Sequence, residues 1–170
     1  MQKLYSVPSL DLSYLCTTIG NLAGVPIRLY DNQELIFYHS FVNLPKDPAI
    51  LLEKELLAIT DPVGYFISPD FDYYGIAHHK ETTIIIGPAR QSAPSEQYLR
   101  RLAFDLSIEP VQMNDFLTAM KMIVHMPLES ILQILCTIYY VISGNKIGLN
   151  ALSIIDSTQN ELSAELISTQ

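Results

Sequence analysis

The side chains best suited to chemistry in this chain are its histidines, its two cysteines and its ten tyrosines. His78 and His79 form the one local cluster that could ligate a metal or move a proton, and His39 joins them if its strand pairs alongside theirs. Adjacent residues on a strand point to opposite faces, so His78 and His79 cannot both line one metal site without a bend. The simpler outcome is a strand end with one half-buried and one exposed histidine. An acid and base drawn from His78 with Asp70 or Asp72 would use carboxylates beside a turn, where solvated caps are commoner. Cys16 and Cys136 each sit in an apolar periodic segment. A thiolate is disfavoured there, so both are expected to be small buried hydrophobes. The sequence contains no cysteine pair at metal spacing, Gly-rich phosphate loop, G-x-S-x-G elbow or H-E-x-x-H helix. The expectation is a chain with no catalytic residues, no metal and no cofactor.

The tyrosines carry more information. Tyr65, Tyr73 and Tyr74 gather with Phe66 and Phe71 in one short stretch, and Tyr30, Phe37 and Tyr38 accompany them on an earlier segment. A flat apolar ring with a polar tip suits a pocket that orients a small organic molecule. The same residues also cover antiparallel sheets that bind nothing. If a pocket is present, the sequence puts Arg28, Tyr38, Tyr65, Tyr73, Tyr74 and His78 around it. Arg28, the only arginine before Arg90, is then the group for an anionic ligand.

These residues are positioned by alternating helical and strand patterns. Leu12, Leu15, Ile19 and Leu22 repeat at helical spacing after Ser9 and Asp11, and Gly20 and Gly24 close the run. Val25 to Tyr30 and Glu34 to His39 read as a hairpin about Asp31 and Asn32. Asp47-Pro48 opens a second helix with Ile50, Leu51, Leu56, Leu57 and Ile59 on its apolar face, and Asp61-Pro62 ends it. Strands follow at Tyr65 to Ser68, Tyr73 to His78 and Thr82 to Ile86, the last stopped by Gly87-Pro88. Leu99, Leu102, Ala103 and Leu106 give a third helix after Pro94-Ser95-Glu96, and a short one runs from about Met113 to Ile123. About five strands joined mainly by short turns imply antiparallel pairing. The predicted class is α+β, one antiparallel sheet backed by helices and followed by a long apolar C-terminal helix.

Composition limits the partners. The net charge is −8, so counterion release at phosphates has little to drive it, and the only paired basic residues are Arg100 and Arg101. Nucleic acid is not an expected partner of this segment. Hydrophobic residues make up 49% and charged residues 16%, the latter low beside the roughly 25% of an average soluble domain. The opening residues lack a signal peptide's apolar run, which points to the cytoplasm. The most apolar stretch, Pro127 to Ser143, carries Glu129 and Gln133. It sits at or below the roughly 17-residue lower limit for a membrane span, so a buried helix is expected and no membrane. Leu128, Ile131, Leu132, Leu135, Ile138, Tyr139 and Ile142 fill one face, while Ile134, Tyr140 and Val141 lie off it. A second surface must cover those, and a homodimer meeting through Ile134, Ile138 and Val141 is the favoured cover.

The segments Tyr5-Ser6-Val7-Pro8-Ser9-Leu10, Ile84-Ile85-Ile86-Gly87-Pro88 and Met126-Pro127-Leu128-Glu129-Ser130, with the Leu- and Ile-rich helix ending near Ser143-Gly144-Asn145-Lys146, resemble a known group. They are similar to the amino-terminal sensor region of AraC-type transcription regulators from Gram-positive bacteria, across about residues 5 to 155. The resemblance implies a GAF- or PAS-like domain over residues 1-155, with residues 156-170 as a linker or the start of a connector helix. It further implies that DNA is bound only through a carboxy-terminal pair of helix-turn-helix motifs. No such motif can be placed before Gln170, so the DNA-binding half is expected outside this sequence. Two roles stay open: a sensor binding a small-molecule effector, or a ligand-free dimerisation module.

Overall fold

The computed structural model describes residues 10–69 and 72–149. Helix α1 (Leu12–Ala23) leads into the hairpin β1 (Ile27–Asp31) and β2 (Glu34–His39). A 3-10 segment (Pro48–Leu52) runs into α2 (Glu53–Leu57), and then come β3 (Val63–Ile67), β4 (Tyr73–His79) and β5 (Thr82–Ala89). The described chain closes with α3 (Glu96–Asp105), a 3-10 turn (Pro110–Gln112), α4 (Met113–Lys121) and α5 (Leu128–Ser143). The five strands form one sheet in the order β2-β1-β5-β4-β3 with every neighbouring pair antiparallel. The protein is thus an α+β domain.

Local chemistry sets the element ends. Asp11 accepts a hydrogen bond from the Tyr14 amide at 3.0 Å to start α1, and Ser95 does the same for the Tyr98 amide at 3.1 Å to start α3. Gly144, at φ 77°, turns the chain out of α5 while its amide bonds the Tyr140 carbonyl. Asn32 and Gln33 both take positive φ, the two-residue turn that matches the twist of a hairpin.

The sheet buries both faces. On one, Ile27, Leu29, Ala77, Ile84 and Ile86 pack with Cys16 of α1 and with Ile131, Leu132, Leu135, Cys136, Ile138 and Tyr139 of α5. On the other, Tyr30, Tyr74, Ile76 and Ile85 meet Ala49 and Leu56 from the 3-10 segment and α2. Helices α3 and α4 share a separate cluster of Leu99, Ala103, Phe116, Leu117 and Met120.

Several expectations change. The first half of the second helix is a tighter 3-10 segment, with Asp47 accepting from the Ala49 amide. At three residues per turn its apolar face rotates, which leaves Ile50 and Leu51 exposed. Strand β5 does not stop at Gly87-Pro88 but continues to Ala89, opposite Tyr73. Gly87, at φ 129°, and a bulge in β4 between Tyr73 and Gly75 absorb the irregularity. Ile138 of α5 is fully buried in the core of this single chain, so it cannot form part of a surface between copies. Ile134 is partly buried, and Val141 and Tyr140 are exposed. The Tyr5 to Ser9 motif and the proposed linker 156-170 lie outside the described residues, as does Asp70. No helix among the described residues is long and apolar enough to cross a membrane.

Candidate functional site

The pleat divides the six residues read from the sequence as ligand contacts. Arg28 and Tyr38 are cross-strand partners, and the Arg28 guanidinium lies 5.7 Å from the Tyr38 ring and 5.9 Å from the Tyr74 ring. His78 pairs through Nδ1 with Thr83 Oγ1 at 2.9 Å on that same face. Tyr65 and Tyr73 belong to the opposite face, packed in the core that includes α5. One pocket therefore cannot hold all six. His79 also points to the α5 side, edge-on to Tyr139, and His39 bonds Asn21 of α1 across two intervening strands from β4. The three histidines do not converge, and no group of three or more metal-ligating side chains occurs among the described residues. Asp72 precedes β4 and His78 is near its far end, roughly 20 Å away at about 3.3 Å per residue, so they cannot act as acid and base on one substrate.

Arg28 has a different job from the one expected of it. It is fully buried, and its Nη2 donates to Asp47 Oδ1 at 2.6 Å and to the Gly87 carbonyl at 2.9 Å, while Nε reaches Asp47 Oδ2. Burial alone would lower the guanidinium pKa, but the Asp47 carboxylate more than offsets it and the net shift is upward. The pair ties the start of the 3-10 segment to the middle of the sheet. No anionic ligand can reach an arginine so enclosed.

A second buried ion pair went unforeseen. Arg90, at the end of β5, has Nε 3.1 Å from Asp72 Oδ1, an ionic contact without a hydrogen bond, and donates from Nη2 to Oδ2 at 3.3 Å. Its Nη1 donates to the Met120 carbonyl at 3.2 Å, linking the sheet to α4. The Tyr98 hydroxyl of α3 donates to Asp72 Oδ2 at 2.8 Å. Burial pushes the Tyr98 phenol far above its ordinary range, and the Asp72 carboxylate pushes it further. The Asp72 amide in turn donates to Ser68 Oγ, and the Ser68 amide to the Asp72 carbonyl, so the turn before β4 holds the carboxylate in place.

Clefts open on either side of Tyr98 and Asp72. One of about 140 Å³ lies between the 3-10 segment, β4 and α3, walled by Pro48, Leu51, Leu52, Tyr74, Tyr98 and Leu102, with Arg101 and Asp105 also lining it. The other, about 200 Å³, is more polar and runs past Arg90, Ser92 and Ser95. Of the sequence-derived set only Tyr74 lines the first. Burial pushes its phenol up, and the charges of Arg28, Asp47, Asp72 and Arg90 all act on it, so this ring stands between the two ion pairs. Such a cleft can hold a small molecule against a fixed aromatic floor. Comparison with protein-family models, curated proteins and solved structures finds no match for this chain.

Proposed function

We propose that this chain is the signal-sensing and dimerisation domain of an AraC-type transcription regulator, GAF- or PAS-like in fold and cytoplasmic. It binds a small molecule beside the sheet and passes the signal to a helix-turn-helix domain outside this sequence. The observation that carries the reading is the cleft against Tyr74, where the sheet, the 3-10 segment and α3 meet. The single antiparallel sheet with helices on both faces is consistent with it. A ligand seated there touches segments held by both ion pairs, and it shifts their packing only by its differential affinity for the two arrangements.

A metabolite panel followed by thermal unfolding tests the reading. A ligand specific for the native state raises the midpoint progressively, with the logarithm of its concentration once the site is saturated. Leu51→Trp, which fills the cleft, is expected to abolish that shift. If no compound stabilises the protein, sensing by this route is wrong.

The second reading, a ligand-free dimerisation module, is favoured by α5, where Tyr140 and Val141 stay 49% and 39% exposed after the core has formed. Val141→Glu is expected to turn a dimer into monomers in sedimentation. A monomer for the unsubstituted chain would remove dimerisation from both readings.

A further inference from the structure

We infer that the cleft against Tyr74 takes an uncharged, single-ring aromatic molecule, an inference that rests on the sensing role proposed above. Size is the first argument. A cavity of roughly 150 Å³ with apolar walls accommodates benzene, and this cleft offers about 140 Å³. Leu51, Leu52 and Leu102 supply apolar walls, and Tyr74 and Tyr98 supply rings, which favour another ring at offset or edge-on geometry.

Charge is the second argument. Asp72 and Arg90 are both buried and already neutralise one another, and Asp72 Oδ2 also accepts from Tyr98. Of this pair only Asp72 lines the cleft, with its charge met by Arg90 from outside it, and the remaining ionic side chains of the lining, Arg101 and Asp105, carry opposite signs. An entering ion would lose water and find no surplus counter-charge, a penalty that a neutral ring escapes. The net charge of −8 adds a general bias against anions.

Benzyl alcohol, benzylammonium and benzoate share one ring and differ in charge at pH 7, which makes them the probes. Titration into the full chain, followed by backbone amide NMR shifts, is expected to show saturable binding of benzyl alcohol. The shifts should centre on Leu51, Tyr74 and Leu102, with both ions binding at least tenfold more weakly. Leu51→Trp is expected to remove the shifts. Leu51 is 43% exposed, so the indole can be accommodated; Leu102→Trp fills the same space from α3 if the first variant fails to fold. Asp105→Lys, at the exposed end of α3, is expected to narrow the gap between benzoate and the alcohol. Equal or tighter binding of either ion, removed by the filling variant, would overturn the neutral-ring inference while leaving the sensing role intact. Benzyl alcohol shifts that survive cleft filling would also overturn it. No stabilisation by these probes or by any metabolite would sink both.

Discussion

At the residue scale, the buried arginines are the features most open to test. Arg28 has no exposure, so any change that strands its charge leaves it unsolvated. Asp47→Asn keeps the shape and the amide cap but removes the counter-charge, and losing one partner of a buried pair costs about 3–5 kcal/mol. Replacing both, Arg28→Leu with Asp47→Ser, keeps a cap at the 3-10 segment and is expected to recover most of that loss. Urea unfolding of the single and double variants measures this, and a loss below about 1 kcal/mol for Asp47→Asn would mean the pair is no staple. These contacts show why the site was only partly legible in the sequence. Arg28 stood out as a lone arginine and Asp47 as a cap, but 19 residues separate them and neither property signals the other. Asp72 joins Arg90 from 18 residues away and Tyr98 from 26, and nothing in a local pattern links a turn aspartate to a helix tyrosine.

At the element scale, periodicity carried much further. The bounds of α1, α3 and α5 follow from Asp11, Ser95, Gly24 and Gly144, which were readable as caps and stops, whereas Gly20, read as closing the first helix with Gly24, lies buried within α1. The period-2 pattern placed the strands, but not which face each tyrosine takes, since pairing register decides that. Gly75 was silent in the sequence and is decisive in the fold. A Cβ there would sit 2.1 Å from Leu135 Cδ1 and 2.7 Å from Ile131 Cγ2, so the bare backbone of β4 is what lets α5 lie down on it. Gly75→Ala is expected to destabilise by about 1–3 kcal/mol through overpacking. Combining it with Leu135→Ala is expected to cost less than the two singles added, because the smaller side chain vacates the contact. Thermal or urea unfolding of the four-member cycle gives the coupling, and strict additivity would show that α5 does not rest on Gly75.

At the scale of the whole molecule, one consequence of the packing is sensitivity to alkali. Tyr30, Tyr38, Tyr74 and Tyr98 all have phenols raised above their ordinary 10.0, each first by burial, with Glu53, Asp47 and Asp72 adding to it. The Cys16 thiol is pushed up by burial from 9.0 to about 12. For every one of these groups the native state holds its proton at pH values where the unfolded chain releases it. The stability they contribute is therefore whole below the unfolded pKa and drains away as pH climbs toward the folded value. The midpoint of urea unfolding is expected to be flat with respect to these groups up to about pH 8. It should then fall, first as unfolded Cys16 ionises and more steeply above about pH 10 as the tyrosines follow. Tyr98→Phe separates the contributions. It deletes the hydrogen bond to Asp72, so the variant starts less stable at pH 8, by about 1–3 kcal/mol. It also deletes one titrating group with a strongly raised pKa, so its decline between pH 9.5 and 11 is expected to be shallower than that of the parent. Parallel declines would mean that the Tyr98 phenol is not protected by the buried Asp72 site and that α3 does not close over it as described.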